Sequence, residues 1–268
     1  MIRLTDLTRQ WRREGRKTLV PFLTAGYPDR QTFAELTGAV ARSGCRLMEI
    51  GVPFSDPVAD GPVIQAASQQ ALAQGVTLAE ALAMAGAAHR EHGLEVVLMG
   101  YLNPILHLGA EKFAAACAAE NVAGVIVPDL PPEEGAGLRD LLAARGVALI
   151  DLVAPTTTEQ RLEHIAARAA GFLYLVSVTG VTGSATAGGD DLHTYLDRVA
   201  RGTDLPRYVG FGVSGPDQAA DICRHADGVI IGSALLRLVA ETGTGPQAAA
   251  RLQEFLTRIN QALASAEG

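Results

Sequence analysis

One pattern constrains this chain more than any other. Short runs that are apolar along their whole length alternate, eight times, with longer segments whose apolar residues recur at helical spacing. The runs are TLVPFLTAG (18–26), RLMEIGV (46–52), EVVLMGY (95–101), VAGVIVP (122–128), VALIDLV (147–153), GFLYLVSV (171–178), RYVGFG (207–212) and DGVIIG (227–232). A strand with one wet face alternates apolar and polar residues, whereas a parallel strand covered on both faces has no need to. Helical spacing occupies 32–44, 63–74 with 77–91, 110–119, 132–145, 157–169, 190–201, 215–224 and 246–264, with Gly44 placed for a left-handed cap. No Pro/Ser-rich linker or change of composition divides these units. They predict an α/β chain forming a single (β/α)8 TIM barrel domain over residues 1–268, with an extra N-terminal amphipathic helix at 2–14. A doubly wound open sheet is the alternative, because periodicity does not specify closure.

Composition narrows the partners. With 48% hydrophobic residues the chain has material for a large core, and a net charge of −7 leaves no electrostatic footprint for nucleic acid or an anionic membrane. The first residues, MIRLTDLTRQWRREGRK, lack the apolar stretch of a secretory signal, and no window approaches the ~20 apolar residues of a membrane span. Cys45, Cys117 and Cys223 are odd in number and unpaired in spacing, as in free thiols of a reducing compartment, so a cytoplasmic location is expected.

In such a barrel, chemistry gathers where strands end and the next loops begin. The stretch MEIGVPFSDPVADGP (48–62) puts Glu49, Asp56 and Asp60 among Ile50, Val52, Phe54 and Val58 with no positive charge. Glu49 falls near the end of a strand that should be buried. Desolvation there raises a carboxyl pKa and suits it to proton transfer near neutrality, unless a nearby arginine or backbone amides make it structural. Asp60 suits a substrate-facing carboxylate or a cap for the helix starting near Pro62, and Asp56 equally suits an Asx turn. Tyr101 is read as ending the third strand, Asp129 the fourth, and Tyr174 lies within the sixth.

The last two strands end in glycine. GFGVSGPDQ (210–218) opens a helix with Gly210, Gly212 and Gly215, and GSA (232–234) repeats the arrangement with Gly232 and Ser233. Tight turns alone explain either loop, but together they resemble a phosphate site after strands seven and eight. The same residues match GxGxxG. A dinucleotide reading fits poorly, because Asp227 precedes its strand where an acid ending that strand is required. SVTGVTGSATAGGDD (177–191) is either slack or a lid that closes over substrate, with Thr182 and Gly183 at its hinge.

Other chemistries lack residues. Only Lys17 and Lys112 are lysines, and neither falls at the C-terminal end of a strand, which argues against an imine-forming aldolase. HREH (89–92) suits the last turn of a helix ahead of Gly93 better than a metal, and no metal site is expected.

Taken in order, PFLTAGYPD (21–29), MEIGVPFSDPVADGPVIQ (48–65), GYLNPI (100–105), VPDLPPEE (127–134), YLVSVTGVTG (174–183), GFGVS (210–214) and GSAL (232–235) closely resemble the tryptophan synthase alpha subunit family. The resemblance implies a barrel that cleaves indole-3-glycerol phosphate to indole and glyceraldehyde 3-phosphate by a retro-aldol step, without metal or imine. It implies Glu49 as the acid/base and Asp60 as the carboxylate that hydrogen-bonds the indole N–H. It places Phe22, Tyr101, Tyr174 and Phe211 around the ring or behind Glu49, and Thr182 on the lid against Asp60. Gly183, Gly212, Gly232 and Ser233 would cradle the phosphate, while Asp56 would face a beta subunit and couple the two. The family works as an alpha-beta-beta-alpha heterotetramer that passes indole to the beta subunit, and the pyridoxal phosphate belongs there, so no cofactor is expected in this chain. A free-standing lyase would be fully active without any beta chain. A purely activating subunit would have no use for both Glu49 and Asp60, and a sugar-phosphate isomerase leaves the apolar pocket between them unexplained.

Overall fold

Eight segments take up extended backbone in the computed structural model, which describes residues 2–176, 189–210 and 212–265, with side chains omitted at 189–191. They are β1 (Thr18–Thr24), β2 (Leu47–Gly51), β3 (Glu95–Met99), β4 (Gly124–Ile126), β5 (Ala148–Val153), β6 (Leu173–Val176), β7 (Arg207–Gly210) and β8 (Gly228–Ile231). Each pairs in parallel with the next, and β8 returns to β1, so the sheet closes. Nearly every strand residue is buried, as expected of strands lying between a filled interior and a helical coat.

The connecting helices start and stop where local chemistry dictates. Asp29 accepts from the Thr32 amide at the start of Arg30–Arg42, and Gly44, just past the end, has φ +92°. Thr77 and Glu80 form a reciprocal capping box at the head of Leu78–His92, and Gly93 closes that helix at φ +67°. Two helices exceed the sequence expectation: Leu102–Leu108, and Ser233–Thr242, of which the sequence showed only the start. The first is short and carries Pro104 in its opening turn, so it offers too little periodicity to read. Among the described residues, no single helix is long and apolar enough to cross a membrane.

The N-terminal helix Arg3–Arg13 closes the bottom of the barrel. Leu4 fills the space beside Gly124 and Gly171, and the Thr8 hydroxyl donates to the Gly171 carbonyl at 2.7 Å. Side-chain parity then sorts each strand. On β1, Thr18 faces the interior, where its hydroxyl accepts from Tyr208 of β7, and Phe22 faces it higher up, beside Gly51 and Gly232. At the bottom, Asp227 accepts from the Arg207 amide and guanidinium at 2.9 and 3.1 Å, which makes it a structural acid and removes the dinucleotide reading of GxGxxG. Lys17 donates to the Ala226 carbonyl at this end, and Lys112 lies exposed on Ala110–Ala119. Neither lysine reaches the strands' C-terminal ends.

Candidate active site

At the top, β1 and β2 meet with Phe22 opposite Glu49 and Thr24 opposite Gly51. Glu49 is 1% exposed, and neither of its carboxyl oxygens has a hydrogen-bond partner. The arginine or amide cradle that would make it structural is absent among the described residues. Burial, reinforced by the nearby Asp60 charge, pushes its pKa up to about 8.

Asp60 sits in the loop after β2 and is 6% exposed. It does not cap the following helix: Gly61 takes that position without a side-chain bond, and Pro62 opens the helix. Burial lifts the Asp60 carboxyl to about 6, against the opposing effect of a hydrogen bond from Tyr101. The loop is tied down by the Tyr101 hydroxyl, which accepts from the Ala59 amide at 3.0 Å while its ring stacks on Phe54 at 5.0 Å. Two buried acids that sense each other and have raised pKa values can divide proton transfer from charge stabilisation.

Other sequence expectations land nearby with changed reasons. Tyr101 is not the end of β3 but the residue ahead of Leu102–Leu108. Asp129 is not the end of β4 either. It lies in the loop beyond, where both carboxylate oxygens accept from the Leu102 amide at 3.0 and 3.2 Å, since the free amides of a helix start attract an acid. Tyr174 is buried inside β6. Burial, then the charges of Glu49 and Asp60, raise its hydroxyl pKa well above the usual value. Gly210 is explained by room for Tyr174, whose ring and hydroxyl lie 2.3–2.4 Å from where a Cβ would stand, and not by amide exposure. Gly212 adopts φ +82° in the turn after β7, and Gly232 and Ser233 open the helix after β8. Asp56 lies exposed, accepting from the Ser55 hydroxyl, two residues from Val58, which is 78% exposed. Thr182, Gly183 and Phe211 lie outside the described residues.

Sequence reasoning passed over Gly51. A Cβ there would stand 2.5 Å from the Phe22 ring, and the signal was a glycine closing an otherwise bulky strand two residues after the acid. Gly51→Ala is expected to displace Phe22 and cost about 1–3 kcal/mol through overpacking, read from urea denaturation midpoints at constant slope.

A family model described as tryptophan synthase alpha chain matches residues 8–264. The chain belongs to the tryptophan synthase alpha chain family. A curated tryptophan synthase alpha chain from Citrifermentans bemidjiense is 42% identical over 97% of both chains, and one from Rhizorhabdus wittichii is 44% identical over 98% of this chain and 97% of the relative. Among solved structures, tryptophan synthase subunit alpha from Legionella pneumophila superposes with TM-score 0.89 at 32% identity, covering 99% of each chain. A chain of the aminoacrylate-bound tryptophan synthase of M. tuberculosis superposes with TM-score 0.87 at 33% identity, covering 98% of this chain and all of that one. In this family the alpha subunit cleaves indole-3-glycerol phosphate.

Proposed function

We propose that this site cleaves indole-3-glycerol phosphate as a carbon–carbon lyase, through a retro-aldol step in which Glu49 moves protons and Asp60 holds developing charge. The observation that carries the reading is the Glu49 carboxyl, buried, unbonded and lifted to about 8, so that it holds a proton near neutrality yet can exchange it. Protonation at indole C3 makes the ring cationic, and the Asp60 carboxylate stabilises that charge by accepting from the ring N–H. Loss of the proton from the hydroxyl on the adjoining carbon then forms the aldehyde. The electron pair of the breaking C–C bond returns to the ring, so one proton is delivered and one removed.

Phe22, Tyr101 and Tyr174 supply apolar walls, and the family resemblance would add Phe211 to them. Gly212 in the turn after β7 and Gly232 and Ser233 at the start of the helix after β8, with Gly183, would hold the phosphate through backbone amides and a hydroxyl. Thr182 would meet Asp60 from the lid. These steps call on proton transfers alone, and pyridoxal phosphate belongs to the beta chain. Closure of all eight strands into one barrel supports reading residues 1–268 as one domain, and the free, buried thiols of Cys45, Cys117 and Cys223 support a reducing, cytoplasmic setting.

A beta subunit is the partner that this reading requires, in an alpha-beta-beta-alpha assembly. The loop that carries Asp60 also presents Asp56 and exposed Val58 to solvent, so a partner resting on it can set the position of Asp60. Val58→Asp is expected to leave activity of the lone chain within about twofold, as exposed substitutions do. It should weaken activation by added beta subunit, which is read by titrating that subunit.

The deciding experiment is release of glyceraldehyde 3-phosphate from indole-3-glycerol phosphate, by the chain alone and with beta subunit. Slow release that accelerates with beta is the expected result. Full activity alone would replace it with a free-standing lyase, and no release in either case would overturn the catalytic reading.

A further inference from the structure

Five threonines are buried among the described residues: Thr8, Thr18, Thr24, Thr32 and Thr37. Four have hydroxyl partners that explain them. Thr8 donates to Leu4 and Gly171 carbonyls, Thr18 accepts from Tyr208, Thr32 donates to the Asp29 carboxylate and Thr37 donates to the Ala34 carbonyl. Thr24 is 1% exposed, and its hydroxyl has no hydrogen-bond partner among the described residues. A buried hydroxyl left unbonded opposes folding, and such groups in a native structure ask for a reason.

Its place in the barrel supplies one. Thr24 is the last residue of β1 and shares the inward face with Phe22, two residues earlier, whose ring lies against Gly51 of β2 on one side and Gly232 after β8 on the other. β1 therefore stands between the strand that carries Glu49 and the turn that opens with Gly232 and Ser233. A substrate with its ring beside Glu49 and its phosphate at Gly232 and Ser233 must lay the connecting carbon chain across the top of β1. The residue presented there, one layer above Phe22 and opposite Gly51, is Thr24.

We infer that the Thr24 hydroxyl is a substrate-binding group, bonding a hydroxyl of the three-carbon chain that joins ring to phosphate. This rests on the proposed cleavage of indole-3-glycerol phosphate and adds to it a residue that reads the middle of the substrate. The walls are apolar around the ring and rich in backbone amides around the phosphate, and Glu49 serves only the hydroxyl on the carbon beside the ring, so the rest of the chain has no recognising group. A hydroxyl that donates and accepts suits a polyol chain, and one kept free of protein partners stays available for it. Holding that chain also fixes the angle at which the C–C bond to be broken meets the ring.

Thr24→Val keeps the shape and removes the hydroxyl. It is expected to lower kcat/KM for indole-3-glycerol phosphate about tenfold, while Thr24→Ser retains most of the activity. Because the hydroxyl is unbonded among the described residues, the melting temperature of Thr24→Val should be unchanged or higher, which a structural threonine would not show. The decisive probe is indole-3-propyl phosphate, which has the same ring, chain length and phosphate but no chain hydroxyls. Its dissociation constant should be the same for wild type and Thr24→Val. Kcat/KM within about twofold of wild type, or equal weakening of substrate and hydroxyl-free analogue, would overturn the assignment. Cleavage by the wild-type chain in the same assay separates this failure from that of the underlying reading, since an inactive wild type overturns both.

Discussion

Glu49→Gln is expected to lower turnover of indole-3-glycerol phosphate about a thousandfold, within the ~10²–10⁴ that general acid–base catalysis contributes, while binding of phosphate-bearing ligands survives. The amide has nearly the same size but carries no transferable proton, so the loss belongs to chemistry and not to shape. A second readout comes from stability. The folded-state pKa of Glu49, about 8, lies above the ordinary value near 4.5. The folded chain therefore binds the proton more tightly than the unfolded one. The stabilisation is complete below the unfolded pKa and is lost as pH rises through the window from about 4.5 to about 8. Thermal melts should show Glu49→Gln more stable than wild type at pH 8, by on the order of a few kcal/mol, with the gap closing towards pH 4.5. Near-normal turnover, or an equal gap at both pH values, would sink the role assigned to Glu49.

Asp60→Asn should cost about 10²–10³ in kcat, the scale set by removing a group aimed at charge that develops in the transition state. KM should change far less, because the neutral indole N–H of the ground state gains little from a full carboxylate. The substitution also removes a charge that helps raise Glu49, so Glu49 should titrate lower in this variant. Carbon-13 NMR of labelled glutamate would record the shift. An unaltered Glu49 titration would mean that the two carboxyls do not sense each other, and a loss confined to KM would make Asp60 a binding residue only.

Both carboxylates could be nominated from sequence, because an acid inside an apolar strand and an acid beside a glycine–proline helix start are local anomalies. Their present roles could not. Glu49 as proton carrier depends on its carboxyl finding no hydrogen-bond partner among the described residues of the other strands and loops. Asp60 as a site residue depends on Gly61 having taken the capping position and on Tyr101, forty-one residues later, reaching the Asp60 loop through the Ala59 amide. Gly210 was read as a phosphate-binding glycine because it lies in a glycine-rich turn, and only packing reveals that it leaves room for Tyr174. Asp129 looked like a strand end because the run VAGVIVP continues apolar past the last sheet bond at Ile126, and sheet pairing leaves no trace in hydropathy. Thr24 gave no signal at all: a threonine in a strand is ordinary until its hydroxyl is found unbonded.

By itself the sequence determined the order and number of the strands, most of the helices that cover them and the end of the barrel where acids and glycines collect. Those features follow from hydropathy period and from the backbone preferences of glycine, proline and capping residues, which act over a few neighbours. The tertiary structure decided closure of β8 on β1, the unbonded state of Glu49 and Thr24, and which glycines make space instead of turns. Each of those depends on atoms brought together from strands far apart in the chain, where burial removes water and leaves a polar group only the partners that packing provides.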